Sequence, residues 1–300
     1  MPILNMVDRP KRACVFAHFD PDGIVDPHVV FLLNGLKEVT DRLIFVTTSA
    51  TNVAYLDSLR LPASITIIRE NRGFDFSSWK IGLDQLDWAA FDEIVLCNDS
   101  VYGPLFPLKT LFERMQGTSC DFWGVTDNTE YSYHLQSYFL VFKANVITSK
   151  VFRDFWVGVE PLEQKQQVIM RCELGLTARL MAHGFKPAAA FRPNIRYSLT
   201  AARVTAERVV SYLLRWPGAV LMVPSVWRRN ARLNKTNYLW KEMLRQKLPF
   251  IKVEFLRTNP KKRRVNQAFR QVHEQTDYPT GLISSHVART GSRRLSLQDR

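Results

Sequence analysis

The sequence predicts an α/β fold, a parallel sheet covered by helices on both faces, on three observations. Short apolar runs alternate with amphipathic stretches through the first two-thirds of the chain, the rhythm of a βαβ series. The runs show little polar alternation, as strands buried on both sides do. Polar residues follow directly on the strands, at the edge where open α/β sheets bind ligands.

Cys14–Phe19 reads as the first strand, running into the turn Asp20-Pro21-Asp22-Gly23. A helix follows from Pro27 to Val39, with Asp26 placed to cap it and Val30, Leu33 and Leu36 along it. Leu43–Thr48 is the second strand, Val53–Leu59 a short helix and Ile65–Ile68 the third strand. A helix from Phe76 to Leu86 leads to the fourth strand, Ile94–Cys97, which ends on Asn98-Asp99-Ser100. Phe122–Val125 and Tyr138–Phe142 then read as strands, and Lys150–Val157 and Gln166–Ala182 as helices. Beyond about residue 200 the chain is helical and basic, with Arg203, Arg208 and Arg215 interleaved among Val209, Val210, Leu213, Leu214 and Trp216. The last dozen residues are polar without periodicity, which predicts disorder. The expected organisation is a first domain over residues 1–200, a helical segment over 201–287 packing on it or on a membrane surface, and a disordered basic tail over 288–300.

With 300 residues, 46% hydrophobic and 12% aromatic, the chain has enough apolar material for a real core. A net charge of +13 calls for an acidic partner: nucleic acid, anionic lipid or a phosphorylated substrate. Much of the excess falls late, in Arg228-Arg229, Lys261 to Arg264 and Arg293-Arg294, which favours an appendage on a membrane surface; a solvated basic tail explains it equally well. No nucleic-acid-reading motif accompanies the charge, so nucleic acid is not the expected partner. No secretory leader is readable, and the longest apolar stretch, Pro217–Val226, falls short of the roughly 20 residues a membrane span needs. Cys14, Cys97, Cys120 and Cys172 are scattered, with no CxxC pair and no histidine at zinc spacing. They predict a reducing, cytoplasmic setting without disulfides or zinc.

Candidate site residues sit after successive strands: Asp20 and Asp22; Glu70, Asn71, Arg72, Gly73 and Asp75; Asn98, Asp99 and Ser100. A carboxylate held at a strand end suits a hard cation, Mg²⁺ or Mn²⁺, whose other ligands come from a diphosphate. Asn98 and Asp99 equally suit a turn before Gly103-Pro104. In Asn71-Arg72-Gly73-Phe74-Asp75, Gly73 permits close backbone approach and Asp75 can cap a helix, as any strand-to-helix turn requires; Arg72 is left over, able to meet a phosphate or ribose. The run Tyr131 to Tyr138, with His134 and Gln136, offers aromatic faces and polar rims that suit a sugar, or else plain core. Glu173 stands early in an amphipathic helix, where a carboxylate is usually just solvated.

Five ordered segments carry a family resemblance: NRGFDFSSWKIGL, CNDSVYGPLFPL, DFWGVTDN, HLQSYFLVFK and ELGLTARLMAHGF, followed later by NKTNYLW and LPFIK. Over about residues 12 to 285 they resemble the rhamnan synthesis protein F family of glycosyltransferases. The resemblance implies a GT-A-like (Rossmann-related) nucleotide-sugar-binding sheet. It further implies transfer of a sugar, typically rhamnose from a TDP or GDP donor, to a lipid-linked polysaccharide at the cytoplasmic face of the membrane. Asn98-Asp99-Ser100 then stands where such enzymes carry an Asp-X-Asp metal motif, with Asn and Ser in the outer positions. Asp99 with Asn98 or Ser100 would orient Mg²⁺ or Mn²⁺ at the leaving diphosphate. Asn71, Arg72, Gly73 and Asp75 would hold the nucleotide, and Asp20 and Asp22 would line the base or ribose. Glu173, where related folds place the acceptor-activating carboxylate, or else Asp121, would take the acceptor proton in an inverting displacement. His134 and Gln136 would contact the acceptor or the diphosphate. The other class left open is a non-catalytic polysaccharide-assembly or carbohydrate-binding subunit on the same fold.

Overall fold

In chain order the strands are β1 (Arg12–His18), β2 (Arg42–Thr47), β3 (Ile65–Ile68), β4 (Glu93–Asn98), the two-residue β5 (Val101–Tyr102), β6 (Phe122–Gly124), β7 (Asp127–Asn128), β8 (His134–Leu135), β9 (Phe139–Lys143), β10 (Pro187–Ala189) and β11 (Ile251–Lys252). The computed structural model describes residues 9–49, 51–192, 194–222, 224–225, 227, 234–259, 264–291 and 295. Seven strands form one sheet in the order β10-β6-β9-β4-β1-β2-β3. β1 pairs parallel with β2 and β4, and β2 with β3; β9 runs antiparallel between β4 and β6. The expected α/β class, an open, parallel-rich sheet with flanking helices, is the observed one.

The side-chain alternation of the central strands sorts the core into two layers. On β1, Cys14 and Phe16 join one cluster, while Ala13, Val15 and Ala17 join the other. β2 divides Leu43 and Phe45 from Ile44 and Val46, and β4 divides Val95 and Cys97 from Ile94 and Leu96. The first face is covered by helix α1 (Pro27–Lys37) through Leu32, Leu33 and Leu36; a short α2 (Val53–Ser58) adds Leu56. The second face is covered by α3 (Phe74–Leu83), through Phe76, Trp79 and Leu83, and by Phe152, Phe155 and Trp156 of the helix Lys150–Val157. A helix not anticipated from the sequence, α4 (Leu108–Gln116), packs Leu111, Phe112 and Met115 onto the first face. Each large side chain buried this way contributes about 1.5–3 kcal/mol.

A third core joins the two ends of the chain. Tyr102 and Leu105 pack with Trp240, Leu244, Phe255, Leu256, Phe269, Val272, Ile283 and Val287. Its seam is the antiparallel pairing of β11 with β5, which sets Lys252 opposite Val101 and Ile251 opposite Tyr102. The chain bends at Asp99 and Ser100, as their residue types allowed, and then enters that two-residue strand.

Two expected caps are otherwise engaged. Asp26 precedes α1 but makes no side-chain cap bond; its carboxylate binds Arg289. Gly73, at φ 76°, occupies the N-cap of α3, and Asp75 lies inside the first turn. The expected helix over 166–182 is a longer run from Lys165 to Ala182 interrupted by a π-helical turn at Ile169–Glu173. The basic pairs 228–229 and 293–294, with 261–263 and most of the tail 288–300, lie outside the described residues. Among the described residues, no helix is long and apolar enough to cross a membrane.

Gly82 fixes how closely α3 lies on the sheet. A Cβ there would stand 2.2 Å from Val15 Cγ1, and a β-branched side chain on a central strand has little room to turn away. We expect Gly82→Ala to cost about 1–3 kcal/mol by overpacking. In urea unfolding, Gly82→Ala combined with Val15→Ala should lose less than the sum of the two single changes.

Candidate functional site

The end of β4 is the point from which the site is built. Parallel pairing with β1 buries the strand up to Asn98, and the following bend sets Asp99 and Ser100 at the carboxyl edge of the sheet. The Asn98 amide nitrogen donates to Asp75 Oδ2 at 2.8 Å, while its Oδ1 accepts from the Ser100 backbone N–H at 3.1 Å and hydroxyl at 2.6 Å. Asp99 Oδ2 accepts from the Phe19 N–H at 2.7 Å, which ties the end of β4 to the end of β1.

Lys252 closes the group from the far end of the sequence. Its ammonium donates to Ser100 Oγ at 3.2 Å and lies over the Tyr138 ring, 4.5 Å from the centroid. Glu173, the last residue of the π-helical turn, accepts from the Ser137 N–H at 2.9 Å through Oε1. Such turns swing a side chain out of the ordinary helical register and recur at functional sites. Burial and the neighbouring Asp75 charge push the Asp99 carboxyl up to about 8. Burial also raises Asp75, against the Asn98 amide and Lys252, which hold it down, with Glu173 adding to the rise. Burial lowers Lys252, opposed by Glu173, Glu254 and Asp75. Asp75 and Glu173 face Lys252, Lys165 acts on both Asp75 and Lys252, and Asp99 stands against Asp75; when ionised, the carboxylates outnumber the ammonium groups and leave a negative surplus.

That surplus and its hard oxygen donors fit Mg²⁺ or Mn²⁺. Asp99 and Asp75 are the side chains to hold it, whereas Asn98 Oδ1 is already filled by Ser100, and the Ser100 hydroxyl has an ammonium against it.

The other expected residues fall into three groups. Asp20 and Asp22 are at the right edge but engaged: the buried Asp20 accepts from the N–H groups of Asp22 (2.9 Å) and Ile24 (3.1 Å), and both carboxylates pair with Arg289. Asn71 and Arg72 are exposed, with Arg72 4.0 Å from Glu163. Gly73 has a local reason to be glycine, since a Cβ there would meet Ser77 Oγ at 2.0 Å and Pro161 Cα at 2.6 Å. His134 is buried, its Nδ1–H donating to the Ser132 carbonyl at 2.8 Å. Gln136 Oε1 accepts from Thr126, whose hydroxyl also meets Tyr138 Oη at 2.8 Å. Nearby, Lys235 pairs with Asp127.

Asp121 is a correction. It precedes β6 and lies beside Lys143, which pairs with Glu93 at the start of β4, so it stands at the opposite edge of the sheet. Its carboxylate accepts from the Lys186 N–H and from Asn145, both at 2.7 Å, and these bonds hold its pKa low. A concavity of about 600 Å³ lined by Leu83, Trp88, Ile147 and Trp156 also opens at that far side.

Sequence reasoning missed Lys252, Arg289 and Lys235, all brought in from beyond residue 230. The one signal available was a lysine inside the apolar run Leu248 to Val253.

Comparison with known proteins finds relatives along much of the chain. Virulence protein VirA of Vibrio anguillarum is 25% identical over 229 residues, spanning 73% of this chain and 71% of its own. Uncharacterized protein y4gN of Sinorhizobium fredii is 28% identical over 136 residues, 43% of this chain and 36% of its own. Among solved structures, the glycosyltransferase GlyE of Streptococcus pneumoniae TIGR4 aligns with 97% of this chain and 66% of its own, at 11% identity and a TM-score of 0.43, a likeness too loose to carry an argument. A family profile described as Rhamnan synthesis protein F matches residues 43–210, more than half of the 300. The chain belongs to the rhamnan synthesis protein F family.

Proposed function

We propose that this chain is a rhamnosyltransferase. It moves the sugar from a TDP- or GDP-linked donor to a lipid-linked glycan of the cell-surface polysaccharide type, at the cytoplasmic face of the membrane. Family membership supports a nucleotide-sugar transferase. The observation that carries the site is the gathering of Asp75 and Glu173 around Lys252, with Asp99 against Asp75, at the ligand-binding edge of the sheet.

In this reading an acceptor hydroxyl oxygen attacks the anomeric carbon from the face opposite the diphosphate, and the configuration inverts. Glu173 takes the hydroxyl proton, oriented by the N–H of Ser137. The bond from the anomeric carbon to the diphosphate oxygen breaks with its electron pair staying on the diphosphate. Lys252 then balances part of that charge, as a fixed cation at a developing anion does. A bound Mg²⁺ or Mn²⁺ on Asp99 and Asp75 supplies further Lewis-acid neutralisation. Gln136, His134 and the Lys235–Asp127 pair frame the acceptor side, and residues 1–200 act as the catalytic domain to which the later segment lends Lys252.

Membrane docking falls to the helix Ile195–Arg215. Ile195, Leu199, Val210 and Leu214 are exposed, Leu199 at 67% and Leu214 at 80%. At 100° per residue they lie within about 100° of one another, with Arg203 among them. Such a face suits an anionic bilayer surface and matches the net charge of +13.

Glu173→Gln should lower kcat about 10²–10⁴-fold with little change in KM, read as release of nucleoside diphosphate; an unaltered kcat removes Glu173 as the base. Asp99 stands at about 8 when folded against an ordinary 3.8, so protonation favours the metal-free fold. That contribution is full below about 3.8 and is lost as pH rises through about 8. Since only the ionised form binds a cation, the rise in Tm caused by Mn²⁺ should grow between about pH 6 and 9. Asp99→Asn should abolish that growth. Replacing Leu199 and Leu214 together with Glu should release the chain from anionic vesicles in co-sedimentation; retention equal to the parent removes this helix as the anchor.

A further inference from the structure

Two buried imidazoles and a buried carboxylate come together where the end of the chain meets the start of α1. Asp26 and His28 open that helix, and His286 sits in the middle of the helix Gly281–Thr290. All three are buried, and one ligand atom from each lies within 4.8 Å of the others. His286 Nε2 is 3.7 Å from Asp26 Oδ2, and the rings of His28 and His286 are 4.3 Å apart. Ligands at the corners of a tetrahedron with bonds of about 2.0 Å are about 3.3 Å from one another, so a modest contraction closes the set.

Two further observations point to a ligand. His28 Nδ1 is buried in a residue only 3% exposed and has no hydrogen-bond partner. An orphaned ring nitrogen of this kind loses its hydration for nothing in return unless something binds it. The second is the bond between His286 Nδ1 and Tyr102 Oη at 2.7 Å. With Nδ1–H donating to the phenol oxygen, Nε2 presents its lone pair towards Asp26, the outer support by which metal-bound histidines are held in one tautomer.

The charge balance agrees. Asp20, Asp22 and Asp26 all face the guanidinium of Arg289, and Arg257 also acts on His286, so three carboxylates stand against two guanidinium groups and one negative charge is left over. Arg289 uses one lone pair on each Asp26 oxygen, and a carboxylate has about four lone-pair sites.

We propose that Asp26, His28 and His286 bind a divalent cation of the Zn²⁺ class, with a water in the fourth position, and that this ion clamps the helix Gly281–Thr290 onto α1. Two nitrogens and one oxygen suit Zn²⁺ and its surrogate Co²⁺ better than the all-oxygen preference of Mg²⁺. The site is separate from Asp99 and Asp75, and its readout is not activity.

The test uses the full chain stripped with chelator and titrated with Co²⁺. The wild type and Asp99→Asn should each take up one equivalent with the visible absorption of a tetrahedral site, displaced by Zn²⁺ and not by Mg²⁺. His28→Gln and His286→Gln, with far-UV circular dichroism like the parent, should lose that absorption. X-ray absorption on the Zn²⁺-loaded wild type, which needs no variant to fold, should show two imidazoles and oxygen ligands. Absence of uptake by the wild type, a shell of oxygen alone or with sulfur, or absorption that survives both histidine substitutions overturns the proposal.

Discussion

The ligand edge depends on a two-residue antiparallel pairing, β5 with β11. It places Lys252 beside Ser100, 152 positions away in the chain, and Lys252 is a cation that offsets Asp75 and Glu173 in one partly buried space. Without it Asp75 and Glu173 would lose a close counter-charge, and burying an ionised carboxylate without its partner is strongly destabilising. A ladder of two residues cannot hold such an arrangement by itself. The third core does, by packing Tyr102 of β5 and Ile251 of β11 against Trp240, Phe255 and Leu256. Apolar burial in the last third of the chain is thus converted into the position of one ammonium group beside Ser100 in the first third.

That dependence links the C-terminal helices to the site a second time. Arg289 reaches back to Asp20, Asp22 and Asp26, so the loop after β1 is held by the same segment that supplies Lys252. Asp99 ties the two loops together through the Phe19 N–H. The loops after β1 and β4 and the closing helices therefore behave as one electrostatic unit. A change at Arg289 is felt at the site without touching it.

Much of this was legible in the sequence where the cause is local. The bounds of β3 and of the helix Lys150–Val157 match the periodicity residue for residue, because each has a single apolar face and clear stops. The carboxyl-edge rule found Asn98, Asp99 and Asp75 before any coordinates. The same rule, applied to Asp121, would have set it aside: it precedes β6, which runs parallel to β4 because β9 is antiparallel to both. What could not be read is what only long-range packing decides. Asp26 has the chemistry and place of a cap, yet an arginine 263 positions away takes its carboxylate. The zinc spacing sought along the chain was absent because His28 and His286 are neighbours only across the fold. Nor does helical periodicity reveal the π-turn that aims Glu173.

Asn98 has a positive reason to be an amide. Read against Asp-X-Asp, it looks like a lost metal ligand. In the fold its Nδ2 donates to Asp75 at 2.8 Å and its Oδ1 accepts twice from Ser100, so both ends of the amide are in use. A carboxylate in its place would have no proton to give Asp75 and would lie next to two acids already short of counter-charge. Burial and Asp75 have raised Asp99 to about 8, and a third ionised neighbour would drive it higher still, leaving less of the charge that a dication needs. The amide keeps Asp75 in place through a hydrogen bond and adds no charge.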